Sequence, residues 1–182
     1  MLRNYSTFTF VFFISLSLTA CVPMYQEPAA TKPAAKIDFN SNLNFSGEMN
    51  LISIYDDSIS CKGEKRTVRA GFDNKPQRVT PDKTLTFSYF HQKYLGIKTG
   101  YYDYNKCLYI VSFIPKANKL YNVKVTEGVE INGKYSCDFS LYNQTDKKSV
   151  KYIERYHEDN FSSSSEFPKQ CNDGKLSTAN LN

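Results

Sequence analysis

A chain of 182 residues, 41% hydrophobic and 15% aromatic with no tryptophan, suits one domain with tails and is long enough to bury a sizeable core. Lysine and arginine number 23 against 18 acidic residues, a formal charge of +5 that is spread along the chain and leaves no footprint for nucleic acid. Two histidines and the absence of any C-x-x-C pair argue against a zinc ribbon, a thioredoxin-like site or any other metal or cofactor.

Met1 to Ala20 starts with one positive charge, Arg3, and continues into an apolar run from Phe8 to Leu18 interspersed with serine and threonine. A charged start, a short apolar core and small residues at a cut site describe a secretory signal. A bilayer span needs ~20 predominantly apolar residues, and this run is shorter. Leu18-Thr19-Ala20-Cys21 then resembles the lipobox of bacterial lipoproteins. The resemblance implies transfer of diacylglycerol to the Cys21 thiol, removal of residues 1–20, acylation of the freed amine, with palmitate as a label, and membrane attachment through that lipid. Val22 in place of aspartate implies, by the same resemblance, sorting to the outer membrane. Two or three acyl chains anchor firmly, whereas a single one holds a protein only marginally.

Residues 21–36, with Pro23, Pro28 and Pro33 among alanines, read as a tether. Proline-rich spacers extend at ~3.1 Å per residue, so this one reaches about 45 Å at most and lets the domain stand clear of the membrane.

A β domain is expected over residues 37–156, where short segments rich in Tyr, Phe, Val, Ile and Thr alternate in the manner of strands. Leu43 to Tyr55 and Lys65 to Phe72 are the first two, and Asn74 to Asp82, with two prolines, is a loop. From Thr84, the residues Leu85, Phe87 and Tyr89 give one apolar face, with hydroxyls on the other. Cys107 to Ile114 is apolar on both faces and belongs at a sheet centre; Pro115 ends it. Tyr121 to Thr126 follows, and Asn132-Gly133 is the strongest hairpin signal, leading into Tyr135 to Leu141. These last three segments make a plausible antiparallel meander, and Val150 to Tyr156 adds a strand. With no helical period, the fold class is all-β, a single antiparallel β-sandwich or flattened barrel of about seven strands. Residues 157–182 are polar and read as an irregular tail pinned by Cys171, without structure beyond Gly174.

With Cys21 assigned to lipid, Cys61, Cys107, Cys137 and Cys171 form an even set that suggests two disulfides in an oxidising compartment. In the meander, Cys107 and Cys137 lie about 10 Å apart, beyond the ~7 Å Cα limit. Cys61–Cys107 with Cys137–Cys171 is therefore favoured, and the crossed set Cys61–Cys137 with Cys107–Cys171 stays open.

Two surface candidates emerge. Tyr101, Tyr102 and Tyr104 put aromatic rings where they can stack on a sugar or anchor a protein partner, although β-propensity alone also accounts for tyrosine there. Lys62, Lys65, Arg66 and Arg69 could meet anionic partners such as lipid headgroups, or simply guard a strand edge. Neither histidine has a ligand-like neighbour, and no Gly-x-Ser-x-Gly or comparable signature marks a hydrolase. The expectation is a non-catalytic outer-membrane lipoprotein that binds an envelope protein or a cell-wall or surface glycan. The alternative is a periplasmic protein resembling the small β-barrel lipoprotein inhibitors of lysozyme in size, anchor and disulfides.

Overall fold

A computed structural model describes residues 23–39, 48–67, 75–131, 134–155, 171 and 175–177. Eleven strands occupy them: β1 (Ala35–Asp38), β2 (Glu48–Asp57), β3 (Lys62–Arg66), β4 (Gln77–Val79), β5 (Leu85–Lys98), β6 (Tyr101–Phe113), β7 (Leu120–Ile131), β8 (Lys134–Asn143), β9 (Lys148–Ser149), β10 (Tyr152–Arg155) and β11 (Lys175–Ser177). They form two sheets, one of five strands in the order β4-β1-β7-β8-β9 and one of six in the order β11-β10-β6-β5-β2-β3. The all-β sandwich is thus observed. The strands beyond seven are mostly short edge strands of two to four residues, too brief to leave a periodic signal.

Alternation places the core between the sheets. Leu85, Phe87 and Tyr89 of β5, Ile52 and Ile54 of β2, and Val111 and Phe113 of β6 face Tyr121, Val123, Val125 and Leu141 of the smaller sheet, with Ala35 and Ile37 closing the layer. Phe87 is fully buried, with its ring 5.3 Å from Phe39 and 6.3 Å from Phe139. Truncating such a side chain to alanine costs about 3–5 kcal/mol.

The six-stranded sheet is also covered on its outer side. Tyr55, Cys61, Ile110 and Cys171 make a second buried cluster there, flanked by Leu108. Thr86 and Ser88, on the hydroxyl-bearing face of β5, are fully buried. Thr86 Oγ1 and Ser112 Oγ lie 2.6 Å apart, Arg155 Nε donates to Ser112 Oγ at 2.6 Å, and Tyr55 OH donates to Ser88 Oγ at 3.1 Å. Burial makes each of these bonds obligatory, because an unpaired polar group there costs about 1–3 kcal/mol.

Three expectations are corrected. First, β6, β7 and β8 are not a meander: β6 pairs with β5 and β10, whereas β7 pairs with β8 and β1. Pro115 ends β6, and the turn closed by Lys119 N donating to Lys116 O, with Asn118 at φ 60°, carries the chain to the opposite sheet. Cys107 and Cys137 therefore face each other between the layers with Cα atoms 6.1 Å apart, and they are bonded. The second bridge joins Cys61 to Cys171, Cα atoms 5.4 Å apart. Both the favoured and the crossed pairings are overturned, because each assumed that Cys107 and Cys137 shared a sheet.

Second, residues 23–36 are laced onto the domain. Arg66 N donates to Pro23 O at 2.9 Å, and Tyr25 N donates to Arg66 O at 2.8 Å, so Met24 makes a parallel bridge to Arg66. Tyr25 packs against the core. Glu27 Oε1 accepts from Gln77 Nε2, and the Arg78 guanidinium donates to the carbonyls of Ala29, Ala30 and Lys32. From Ala35 the chain is strand, parallel to β7 and antiparallel to β4. Proline supplies no helix here, but its neighbours' carbonyls and amides find partners on the domain, which composition alone does not record. The β4 strand also interrupts the loop expected over residues 74–82.

Third, the tail is not structureless beyond Gly174, since β11 pairs with β10. Residues 1–22, including Cys21 and its flanking sequence, lie outside the described residues, as do Arg69 and Asn132-Gly133. The flanks of that last pair are nonetheless in hairpin register, Ile131 opposite Lys134.

Candidate functional site

The longest strand pair, β5 with β6, continues past the core. A bulge between Tyr94 and Gly96 shifts the register, with Gly96 at φ 121°, a conformation that favours glycine. Beyond it the ladder resumes from Gly96 opposite Asp103 to Lys98 opposite Tyr101. Thr99 and Gly100, both at positive φ, close a two-residue turn of the kind that matches strand twist.

This tip is apolar and exposed. Tyr101 is 79% and Ile97 66% exposed, and Tyr94, Leu95 and Tyr104 are exposed beside them. Tyr94 and Tyr104 sit opposite each other on one face with ring centroids 5.7 Å apart, and Lys106 Nζ lies 6.0 Å from the Tyr104 ring. Such a pair of rings contributes about 0.5–1.5 kcal/mol beyond its buried area, which presets the side chains at little further entropic cost. Of the three tyrosines singled out in the sequence, Tyr101 and Tyr104 are thus on this surface. Tyr102 is in β6 opposite Ile97. Tyr94, Leu95 and Ile97 were missed, although their apolar run continues β5 up to the Thr99-Gly100 turn.

The basic residues do not form one patch. Lys62 is exposed at the start of β3, and Lys65 Nζ is bound to Asp56 Oδ1 at 2.7 Å. Arg66 is half-buried, its backbone occupied by the bridge to Met24. The alternation of β3 puts Lys65 on the face opposite Lys62 and Arg66, which are four residues apart, and Asp56 neutralises Lys65.

On the inner face of the β2–β5–β6 stem lies a buried polar group. His91 Nδ1 is 2.8 Å from Asn50 Oδ1, which also accepts from Tyr89 OH at 3.4 Å. An amide oxygen as partner places the proton on Nδ1. Asn105 is buried nearby on β6, and its Nδ2 has no hydrogen-bond partner among the described residues. Among the described residues no three His, Cys, Asp or Glu side chains gather to hold a metal ion.

The outer face of the smaller sheet carries a shallow groove of about 340 Å³, lined by Asn122 and Lys124 of β7, Ser140, Leu141 and Tyr142 of β8, Gln144 and Ser149. Its amides, hydroxyls, one ammonium and one ring are hydrogen-bonding equipment. The polar positions of β7 and β8 gave this face away as solvated, but not its concavity.

Shifted titrations have local causes. Burial pushes the phenols of Tyr25, Tyr55 and Tyr109 up to about 12. Tyr109 OH donates to Cys137 O across the layers. Asp57 is held below its ordinary range by the Ser60 hydroxyl and then by the Ile59 and Ser60 amides, and Asp146 by Lys119; both brace turns. Burial raises Asp38.

Comparison with protein-family models, curated proteins and solved structures gives no match.

Proposed function

We propose that this protein is a non-catalytic, lipid-anchored protein of the bacterial envelope that works by contact, with the β5–β6 tip as the surface that grips an envelope protein. The observation that carries this reading is the contiguous exposure of Tyr94, Leu95, Ile97, Tyr101 and Tyr104. Water-exposed rings and aliphatic chains on a rigid two-stranded stem are what a partner's pocket desolvates, and aromatic anchors of this kind carry most of the energy at protein interfaces. The two disulfides agree with an oxidising compartment, and the lipobox-like Cys21 supplies the anchor, with Val22 favouring the outer membrane.

A photo-crosslinking side chain placed at Tyr101 in intact cells should give one discrete adduct. Changing Ile97→Ser and Tyr104→Ala should abolish it while the far-UV spectrum stays the same. A smear identical to that from a crosslinker at Lys124 would remove the reading. Cys21→Ala should abolish palmitate labelling and release the protein from the membrane fraction.

The groove supports a second reading, a cell-wall or surface glycan held by Asn122, Tyr142 and Gln144. Calorimetric titration with soluble cell-wall fragments, sensitive to Tyr142→Ala and indifferent to Tyr101→Ala, would favour it over the hairpin.

A further inference from the structure

The anchoring read from Cys21 acquires a geometry once the chain is followed into the domain. Pro23 is fixed to Arg66 by a backbone hydrogen bond of 2.9 Å, and two residues span at most about 7 Å. A lipid on Cys21 is therefore not held off by a spacer. It starts within about 7 Å of Pro23, which is hydrogen-bonded to the β3 edge, and the bilayer must meet the domain there.

Where along the molecule this occurs follows from register. Arg66 is opposite Ser53, and Ser53 opposite Ser88. From Ser88 to Lys98 the hairpin runs a further ~33 Å, whereas from Ser53 to Asp57 the opposite end is only about 13 Å away at ~3.3 Å per residue. The bridge between Met24 and Arg66 is parallel, so Pro23 lies on the side of the Asp57–Lys62 turn and Tyr25 on the side of the hairpin.

That near end has its own exposed apolar residues. Ile59, at the turn, is 69% exposed, and Ile114, just past β6, is 52% exposed. They belong to one connected surface. Ser58 Oγ donates to Thr84 O at 2.6 Å, Asp82 N donates to Pro115 O at 2.8 Å, and Lys116 Nζ pairs with Asp82 Oδ1 at 2.9 Å. Lys62, Lys83 and Lys116 are exposed at this end together with Asp57 and Asp82, and Lys116 is paired with Asp82. Exposed aliphatic side chains match a bilayer surface, with the branched chains among the upper acyl carbons and the Lys62 and Lys83 ammonium groups at the level of the phosphates.

We infer that the end formed by the Asp57–Lys62 turn and the Asp82–Lys116 loop seats on the lipid bilayer, Ile59 and Ile114 entering the headgroup layer, and that the tyrosine hairpin points away from it. The inference rests on the anchored reading proposed above. It assigns a membrane-contact site to residues outside the hairpin, and it places any hairpin partner about 45 Å from the anchoring leaflet.

The chain has no tryptophan, so Ile59→Trp, Ile114→Trp and Tyr101→Trp each give a single reporter. The full acylated chain, reconstituted into vesicles of phosphatidylethanolamine and phosphatidylglycerol with and without brominated phosphatidylcholine, provides the test. All three sites are exposed, and matching urea midpoints confirm that each variant folds. Bromine should quench Ile59→Trp and Ile114→Trp at least twofold more than Tyr101→Trp. Equal or stronger quenching of Tyr101→Trp, or no quenching at Ile59 and Ile114 in protein that floats with the vesicles, overturns the orientation while leaving the anchor standing. A chain that does not float and carries an unmodified Cys21 by mass spectrometry refutes the anchor, and the seating with it.

Discussion

The two sheets share one core and differ in what lies behind them. The six-stranded sheet is buried on both sides, with the Cys61–Cys171 bridge and the Tyr55 cluster over its back. The five-stranded sheet is buried on one side only, and its back, with Lys124, Ser140 and Tyr142, is an open polar groove. A sheet with two packed faces has to satisfy every polar side chain internally, while a half-solvated sheet leaves that to water. The same serine or lysine substitution should therefore be costly in one sheet and nearly silent in the other.

The largest effect should come from the cover itself. Cys61 and Cys171 close a loop of 110 residues and Cys107 and Cys137 one of 30, which in the chain-entropy model corresponds to about 5 and about 3.5 kcal/mol. Urea unfolding of the two double serine variants should rank them in that order. Only the first should also open the back of the larger sheet, seen as faster amide exchange in β6 and β10. If the second pair proves the costlier, the cover is not what distinguishes the sheets.

Next is Arg155, buried on that back, where its Nε holds Ser112. Arg155→Met should cost about 2–3 kcal/mol, the range for hydrogen bonds to charged groups, measured as a shift of the urea midpoint at constant m-value.

A smaller effect is set by pH. Tyr55 is raised from 10.0 to about 12 chiefly by burial, so the folded state keeps its proton where the unfolded chain gives it up. Stability from this group is whole below pH 10 and is lost as pH rises from 10 toward 12. Tyr25 and Tyr109 add to the same window. Tyr55→Phe should lower stability at neutral pH by about 1 kcal/mol, through the Ser88 bond, and make the alkaline decline shallower. An unchanged slope would show that burial of this phenol contributes nothing.

The smallest effect sharpens the contrast from the other side. Lys124→Ser and Tyr142→Ala, on the solvated back of the smaller sheet, should each change stability by less than about 0.5 kcal/mol. Comparable losses there and at Arg155 would erase the distinction.

What the sequence announced and what it concealed divide along the same line. Inner faces were legible because alternation is a local signal: Leu85, Phe87 and Tyr89 were placed correctly, and Cys107 to Ile114, apolar on both faces, does sit between β5 and β10. The fate of Thr86 and Ser88 was not legible, because the network that holds them includes Tyr55 and Arg155, far along the chain. The turn at Pro115 was visible as an ending, but nothing local tells whether the next strand pairs in the same layer or crosses to the other. The cysteine pairing was misread for that single reason. The tyrosines of the hairpin stood out by composition. Ile97 and Leu95 did not, since an exposed aliphatic residue in a strand looks like any core residue until the partner layer is known to stop short of it.

The nesting of the two bridges bears on how the molecule is made. Cys61 waits for Cys171, and the whole Cys107–Cys137 loop closes in between. An oxidant acting on thiols in their order of synthesis would join Cys61 to Cys107 and trap a strand of the larger sheet against its own neighbour's rim. The native pattern thus obliges the first thiol to stay reduced until the last strand arrives, or a mispaired chain to be reshuffled by thiolate exchange. Either way, maturation of this small sandwich calls for controlled thiol–disulfide exchange as much as for packing.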